Sequence, residues 1–383
     1  MRLVAATLYA LRIPFVESFR HSVTERRWSD SVVVRVRDEA GTEGFGEGMA
    51  RPYVTGETVD VMLQHLARDL WPALVERELP PFADATDLAT LDALIPTTAV
   101  SGVIAANASR AALELAVVDC ALRRGGRSLA ALYPPRRRTV TYSGVITAGP
   151  IERAIQHARQ MRAVDLQHVK LKVGFADDVA RVAALREVLG PDVSLRLDAN
   201  GAWTVERAAE VLDAVAPLGI AAVEQPLPRG PVTELRRLKE AVRVPIMADE
   251  SLLTPADAEA LIAGEAVDFF NIRISKCGGL ARSLAIAERA AKAGVGVQVG
   301  SQVGETAILS AAGRHLAAGL PTVAFVEGSF GTLLLAEDVS VESVRFGHRG
   351  EASLLTGPGL GVRVVEERLR RRTVAVHELT TEG

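Results

Sequence analysis

Cysteine and long apolar runs are both scarce in this chain of 383 residues. The two cysteines, Cys120 and Cys277, exclude a disulfide framework and favour a reducing compartment. No apolar run approaches the roughly 20 residues that a membrane-spanning helix needs. Arg12 and Pro14 interrupt the apolar N-terminus, and no small-residue cleavage site follows it. We therefore expect a cytoplasmic protein that begins with a strand.

An excess of one charge is also absent. The formal net charge of -3 gives no general attraction to nucleic acid or to an anionic membrane, so we expect neither as a partner. Hydrophobic residues make up 48% of the chain, which is enough for a large core. The length predicts two or three domains, or one barrel with an appended domain.

Strand-like and helical segments alternate from about residue 139 onward. Helical stretches at 205–218, 255–263 and 280–293 carry start signals such as Thr204 and Thr254-Pro255. Eight strands in about 190 residues predict a closed parallel barrel. An open doubly wound sheet is the alternative, but no glycine-rich phosphate loop follows the first strand, and no helical run follows the last. The strands are predicted at 139–147, 168–173, 193–198, 221–225, 244–248, 269–274, 296–299 and 322–326.

The two ends of the chain have a different pattern. Strands are predicted at 3–11 and 30–37 and helices at 58–74 and 106–124, which is typical of an α+β domain. The tail contains Gly-Pro-Gly-Leu-Gly and then a strand-like segment. We therefore predict three regions: an α+β capping domain (1–125), the barrel (126–350), and a C-terminal segment that returns to the capping domain (351–383).

Acidic residues recur at the ends of three consecutive predicted strands. Asp198, Glu224 and Asp249 are spaced by about one β/α unit each. A single acid at such a position is as often a cap for the next helix, but three in phase would repel each other without a cation between them. Hard oxygen ligands without cysteine or histidine indicate Mg²⁺ rather than zinc.

Two lysines, Lys170 and Lys172, lie in a segment that otherwise reads as a buried strand. Their side chains share one face, and like charges among apolar neighbours lower a lysine's pKa, which suits a base. Solvated lysines on an exposed edge strand are the alternative. Lys276 follows Asp249 by one unit, so we expect it at the end of the sixth strand, across the barrel from the second. The pattern predicts removal of a proton next to a carboxylate, with an enediolate intermediate and a second lysine on the opposite face.

With these motifs, the segment Glu43-Gly44-Phe45-Gly46-Glu47-Gly48 and the glycine-rich tail, the sequence resembles the muconate-lactonizing-enzyme subgroup of the enolase superfamily. The resemblance covers nearly the whole chain. It implies an α/β fold, a modified TIM barrel of (β/α)₇β type behind an α+β capping domain, and a lysine base working with Mg²⁺, or Mn²⁺ in its place. The residues it implies are the metal ligands Asp198, Glu224 and Asp249, the base Lys172, the second acid/base Lys276, the tuning or carboxylate-binding Lys170, and the supporting groups Asn200 and Glu250.

The resemblance favours a racemase or epimerase of an N-substituted amino acid. A muconate-type cycloisomerase and an o-succinylbenzoate-synthase-like dehydratase stay as alternatives. Dipeptide epimerases of the subgroup carry Asp-x-Asp after strand eight, whereas this chain has Val326-Glu327-Gly328-Ser329. Glu327 either contacts the substrate or caps a turn at the rim. The candidate specificity residues, on the loops 17–29 and 51–57 and after strand eight, are Phe19, Arg20, His21, Tyr53, Glu327 and Ser329.

Three other functions are less compatible with the sequence. A Schiff-base aldolase does not need the three acids, and an acid-sugar dehydratase would have a histidine after strand seven, where residues 294–304 contain none. A non-catalytic barrel is disfavoured because every expected catalytic position is filled. We expect a homo-oligomeric isomerase acting on a small-molecule carboxylate.

Overall fold

The computed structural model describes residues 1–20 and 25–380. No helix in these ranges combines the length and the apolar character that crossing a membrane requires. The strands are β1 (Leu3–Arg20), β2 (Glu25–Asp38), β3 (Glu43–Met49), β4 (Thr139–Thr141), β5 (Gly144–Ile146), β6 (His168–Lys172), β7 (Ser194–Asp198), β8 (Ile220–Glu224), β9 (Ile246–Ala248), β10 (Phe269–Ile272), β11 (Gly296–Val299), β12 (Phe325–Val326), β13 (Glu351–Ser353) and β14 (Thr373–Thr380).

The helices follow the same alternation through the second part of the chain. A π-helical segment, Leu66–Leu70, joins the first two helices of the chain, where the sequence predicted one continuous helix. They are α1 (Val59–His65), α2 (Trp71–Leu74), α3 (Thr86–Leu94), α4 (Asn107–Arg124), α5 (Leu129–Leu132), α6 (Ile151–Ala163), α7 (Asp178–Leu189), α8 (Val205–Val215), α9 (Val232–Ala241), α10 (Pro255–Ala263), α11 (Ile274–Cys277), α12 (Leu280–Ala293), α13 (Ala307–Gly319) and α14 (Glu366–Arg371).

The first domain is built on a four-stranded antiparallel sheet in the order β14-β1-β2-β3. The C-terminal strand β14 pairs with β1, so the tail lies against the N-terminal sheet. The boundaries of the three regions at residues 125 and 350 stay a prediction.

Glycines of β3 allow helix α4 to approach this sheet closely. Gly44, Gly46 and Gly48 alternate along the strand and therefore share one face. A Cβ atom on Gly46 would lie 2.1 Å from the backbone oxygen of Ala112, and one on Gly48 would lie 2.1 Å from that of Ala108. The glycine pattern is therefore a packing requirement of the sheet against α4.

The barrel is an eight-stranded parallel sheet in the order β12-β11-β10-β9-β8-β7-β6-β5. Its first and last strands meet where the backbone N–H of Ser143 donates to the carbonyl of Val326 at 2.8 Å. Helices α6, α7, α8, α9, α10, α12 and α13 connect successive strands, and the last strand leads into a 3₁₀ turn, Gly331–Leu333. This is the predicted (β/α)₇β barrel, and it places the ends of all eight strands at one mouth.

The segment 139–147 does not form the single barrel strand that we predicted. Strand β4 pairs antiparallel with β13, and only β5 joins the barrel. The backbone N–H of Tyr142 donates to the carbonyl of Gly350 at 2.7 Å, whereas that of the next residue, Ser143, donates to Val326. The chain thus changes hydrogen-bonding partners between two adjacent residues, which hydrophobicity alone does not reveal.

We expected Lys276 at the end of a strand, and this expectation is wrong. Strand β10 stops at Ile272, and Lys276 lies in the short helix α11 that follows it. Gly278 ends this helix with a φ of 88°, a conformation that glycine adopts readily. Asn107 of α4 donates to the carbonyl of Lys276 at 2.7 Å, so the first domain helps to hold the turn that carries the lysine.

Two buried glutamates of the first domain cap helices of the barrel. Glu47, in β3, accepts hydrogen bonds from the backbone N–H of Thr306 at 3.0 Å and from its hydroxyl at 2.7 Å, where α13 begins. Glu114, in α4, accepts from the backbone N–H groups of Leu280 and Ala281 at the start of α12. Burial raises the pKa of each carboxyl to about 7. The contact between the domains therefore includes carboxyls that bind helix N-termini.

The raised pKa of Glu114 predicts a specific dependence of stability on pH. The carboxyl ionises near 4.5 when unfolded and near 7 when folded, so its contribution to stability is full below pH 4.5 and is lost as the pH rises through 7. Glu114→Gln keeps an acceptor oxygen but cannot ionise. In urea unfolding, the free energy of unfolding of the variant minus that of the wild type should increase by roughly 2–3 kcal/mol from pH 5 to pH 8. An equal difference at both pH values would contradict this.

Candidate active site

Three carboxylates lie together at the mouth of the barrel. Asp198 and Glu224 are the last residues of β7 and β8, and Asp249 directly follows β9. Asp198 pairs in register with Glu224 on one side and with Lys172 on the other. All three carboxylates are buried, with exposed fractions of 0%, 1% and 0%. We call Asp198, Glu224 and Asp249 the carboxylate arc.

Two lysines contact opposite ends of the carboxylate arc. Lys172 Nζ donates to Asp198 Oδ2 at 2.6 Å and to Asn200 Oδ1 at 2.7 Å. Lys276 Nζ donates to Asp249 Oδ1 at 2.9 Å and to two backbone carbonyls. Strands β6 and β10, which lead to these lysines, are four strands apart in the curled sheet. The two amino groups therefore approach the carboxylate arc from opposite sides of the barrel. Lys172 also lines the cavity at the mouth, whereas Lys276 is fully buried and is not among the lining residues.

Lys170 binds carboxylates deeper in the barrel. Its Nζ contacts Asp198 at 3.1 Å, Glu224 at 3.2 Å and Glu327 at 2.8 Å. Burial by itself would lower the pKa of Lys170, but the charges of these three carboxylates raise it above its usual range. The expectation that the lysine pair lowers its own pKa is therefore wrong for Lys170, which is held as a cation.

A guanidinium group lies between two members of the carboxylate arc. Arg273 Nη2 contacts Glu224 Oε1 at 3.0 Å and also contacts Asp249 Oδ2, which accepts no hydrogen bond. Burial would raise the pKa of Glu224, but the charges of Lys170 and Arg273 lower it well below its usual range. Within the described ranges, no three Asp, Glu, His or Cys side chains are positioned so that together they could hold a metal ion. The oxygen donors of the arc suit Mg²⁺, and Arg273 would have to release Asp249 for a metal to enter.

The buried residue Glu224 is also held by neutral groups. Its oxygens accept hydrogen bonds from Asn271 Nδ2 at 2.8 Å and from Gln298 Nε2 at 2.9 Å. Arg196 lies beneath the arc and donates to Glu327 at 2.9 Å. Our sequence reasoning missed these residues. Polar side chains within strands that otherwise look buried could have identified them. Arg196, for example, is two residues from Asp198 and therefore shares the inner face of β7 with it.

The predicted supporting groups bind each other. Asn200 Nδ2 donates to Glu250 Oε1 at 3.0 Å, and Asn200 also accepts from Lys172. Burial, followed by the charges of Asp249 and Asp198, raises the pKa of Glu250 to about 8. Both residues line the cavity at the mouth of the barrel, so they connect the arc to the space above it.

A cavity of about 320 Å³ opens above the carboxylate arc. Of the predicted specificity residues, Tyr53 and Glu327 line it. Ser329 does not line it: its buried hydroxyl accepts a hydrogen bond from Arg314 at 3.3 Å beside a separate, smaller cavity. Glu327 is buried between Lys170 and Arg196 and is not an exposed rim residue. His21 and the side chains of Phe19 and Arg20 lie outside the described part of the chain.

Gln302 is a lining residue that the sequence did not single out. It follows β11 and is 3% exposed, and neither atom of its amide has a hydrogen-bond partner. An unpaired buried amide costs about 1–3 kcal/mol. Gln302 lines both this cavity and the smaller one beside Ser329, so a group in either that donates and accepts a hydrogen bond is a candidate partner for its amide.

Two family descriptions match the chain. Residues 4–133 match the N-terminal domain of mandelate racemase / muconate lactonizing enzyme, and residues 153–368 match the enolase C-terminal domain-like family. The second match alone covers more than half of the chain, so the two together span both the capping sheet and the barrel.

Characterised relatives match over nearly their whole length. The chain is 29% identical to the N-succinyl-L-Arg/Lys racemase of Bacillus cereus, covering 98% of both chains, and 31% identical to muconate cycloisomerase 1-2 of Acinetobacter lwoffii, covering 94% and 93%. The crystal structure of the B. cereus racemase superposes with a TM-score of 0.90 at 26% identity, covering 99% and 100%. The dipeptide epimerase of Cytophaga hutchinsonii, complexed with Mg and D-Ala-L-Val, gives 0.86 at 27% identity and covers 99% of both chains.

Proposed function

Because this chain belongs to the mandelate racemase and muconate lactonizing enzyme family of the enolase superfamily, we propose that it is a Mg²⁺-dependent racemase or epimerase of an N-acylated amino acid. The observation that carries the proposal is the pair Lys172 and Lys276, which contact opposite ends of one carboxylate arc from strands on opposite sides of the barrel. Proton exchange at a single carbon with inversion needs one such group on each face.

The two lysines act on opposite faces of the substrate's α-carbon, and each exchanges its own proton. Lys172 takes the proton from the substrate's α-carbon, the C–H electrons move into the adjacent carboxylate, and Lys276 delivers a proton to the opposite face. The reverse direction exchanges their roles. Lys170, held as a cation by three carboxylates, keeps a positive charge beneath the substrate carboxylate. Asn200 positions the Lys172 amine through its 2.7 Å hydrogen bond.

The carboxylate arc would hold the metal ion. Its three members supply buried anionic oxygens, and Asp249 Oδ2 contacts Arg273 without accepting a hydrogen bond. When bound, Mg²⁺ stabilises the negative charge that develops on the substrate's carboxylate oxygens.

The orphaned amide of Gln302 supports an N-acyl substrate. A secondary amide offers one N–H and one carbonyl, which match the unused acceptor and donor of Gln302. A muconate-type diacid has no N–H and would leave the acceptor oxygen of Gln302 unpaired.

Exchange in D₂O tests the proposed function. We expect N-acyl amino acids incubated with the protein and Mg²⁺ to incorporate deuterium at the α-carbon and to racemise, as followed by ¹H NMR and polarimetry. Chelation of the metal with EDTA should stop both. Absence of exchange on every N-acyl amino acid, with Mg²⁺ shown to be bound by calorimetry, would overturn the proposal.

A muconate-type cycloisomerase is the second candidate, favoured by the 31% identity with the A. lwoffii enzyme. This function needs only one of the two lysines for proton transfer. Loss of muconate absorbance without exchange on N-acyl amino acids would establish it in place of the racemase.

A further inference from the structure

A guanidinium group borders the cavity on the side where β10 ends. The described lining at the inner end includes Lys170 and Lys172 of β6 and, across the barrel from them, Arg273, which directly follows β10. Lys276 also lies on the β10 side, but it is 0% exposed and does not line the cavity. Among the described residues of this side, Arg273 is therefore the cation that a bound substrate would meet.

The extended backbone of Arg273 continues the alternation of β10. Its φ of −117° and ψ of 121° are strand-like, so its side chain shares the inner face of the barrel with Asn271, two residues earlier. Asn271 Nδ2 and Arg273 Nη2 bind the same oxygen, Glu224 Oε1, at 2.8 and 3.0 Å. Only the second of these side chains lines the cavity. The guanidinium is thus the outer of two donors that are held on one carboxylate.

The side chain of Arg273 has donor capacity that its protein partners do not use. A guanidinium carries five N–H donors in a planar fork. Within the described ranges, the hydrogen bond from Nη2 to Glu224 is the one that this side chain donates, and its contact with Asp249 Oδ2 is not a hydrogen bond. The buried Nε atom has no hydrogen-bond partner. Arg273 therefore has N–H groups for a planar anion without giving up Glu224.

A negative charge beside Arg273 also suits the metal-loaded form of the site. Arg273 lies between Glu224 and Asp249, two of the residues proposed to hold Mg²⁺. A guanidinium and a divalent cation that share these carboxylates repel each other, and each neutralises the carboxylates at the expense of the other. A substrate carboxylate in the cavity offsets this excess of positive charge.

We propose that Arg273 is a catalytic residue that binds the reacting carboxylate of the substrate and stabilises the negative charge that develops there. The proposal rests on the proposed function and adds a residue to it. The α-proton goes to a lysine, and the C–H electrons move into the carboxylate. A charge-assisted hydrogen bond from the guanidinium strengthens as the carboxylate oxygens gain that charge. Arginine stays protonated in proteins, so Arg273 transfers no proton and acts equally on both enantiomers.

Exchange of the separate enantiomers tests this role. With the full chain and Mg²⁺, α-proton exchange of the two enantiomers of N-acetylphenylalanine in D₂O gives kcat/KM for each. Arg273→Met should lower both values by a similar factor, roughly a hundredfold, as for the loss of one donor to a developing oxyanion. Arg273→Lys keeps the charge without the planar fork and should recover about tenfold of this loss. Arg289→Met removes an arginine from an ion pair with Glu259 on the outside of α12, and this matched control should change neither value.

Binding of two unreactive ligands tests the same contact without turnover. N-acetyl-2-aminoisobutyrate has no α-proton, and its primary amide has nearly the same shape without the negative charge. In calorimetry with Mg²⁺ the wild type should prefer the carboxylate, and the carboxylate-to-amide ratio of affinities should fall about tenfold in Arg273→Met. The affinity of this variant for Mg²⁺ alone should not fall, because Arg273 is a cation in contact with Asp249.

An unchanged ratio of affinities in Arg273→Met, or a loss of its Mg²⁺ binding, would overturn the proposal and leave Arg273 as a counter-ion of the carboxylate arc. A loss of exchange confined to one enantiomer would also overturn it, because Arg273 would then serve one face of the α-carbon. If the wild type exchanges neither enantiomer, the proposed function fails for this substrate. The ratio of affinities then still decides the role of Arg273.

Discussion

Replacing Lys172 with alanine should abolish racemisation, with a loss of at least roughly a thousandfold, because the neighbouring Lys170 is held as a cation by three carboxylates and cannot accept the proton in its place. Lys276→Ala should have the same effect. Each variant should still exchange the α-proton of the one enantiomer that faces the remaining lysine. ¹H NMR of the separate enantiomers in D₂O measures this, and the two variants should show opposite preferences.

A general loss of structure could not make the two variants prefer opposite enantiomers. Lys292→Ala, on the exposed surface of α12, is a control that removes a lysine outside the cavity and should leave both exchange rates unchanged. Exchange of both enantiomers by either single variant would show that one lysine serves both faces, and the two-sided mechanism would be wrong.

Glu224→Gln should lower both metal affinity and stability. Glu224 neutralises Lys170 and Arg273 inside the barrel, so its loss leaves two buried cations with one carboxylate fewer. Removing one partner of a buried ion pair typically costs about 3–5 kcal/mol. We expect this loss of unfolding free energy in urea with EDTA present, and we expect no Mg²⁺ binding by calorimetry.

The metal-free measurement separates the two roles of Glu224. Glu288→Gln removes a glutamate from an exposed ion pair with Lys292 on α12 and should change neither quantity measurably. Normal Mg²⁺ affinity in Glu224→Gln would remove this residue from the proposed ligand set. An unchanged free energy of unfolding would show that Lys170 and Arg273 do not depend on it.

Periodicity in the sequence was sufficient to place several site residues. The two-residue period of a strand put Lys170 and Lys172 on one face, and the regular strand count put Lys276 opposite them. Lys276 reached that position on helix α11 rather than on a strand. Lys276 still approaches the carboxylate arc from the side opposite Lys172, because the spacing of β/α units sets which side of the barrel a residue approaches, whatever the local backbone does there.

Contacts between distant segments were not predictable in the same way. Arg153 and Glu17 are 136 residues apart, and Glu47 and Thr306 are 259 apart. The sequence also suggested that the two lysines govern each other's pKa. In the folded chain, burial would lower the pKa of Lys170, but carboxylates on β8, directly after β12 and on β7 raise it instead.

By itself, the sequence determined the alternating α/β architecture, the family and the residue types at the mouth of the barrel, because periodicity and spacing are local properties. Only the tertiary structure decided which acid meets which cation, that Arg273 lies between Glu224 and Asp249, and that Glu327 is buried between two cations. These contacts depend on how the sheet curls and how the first domain lies on the barrel. Both bring together side chains whose distances are not encoded in their separation along the chain.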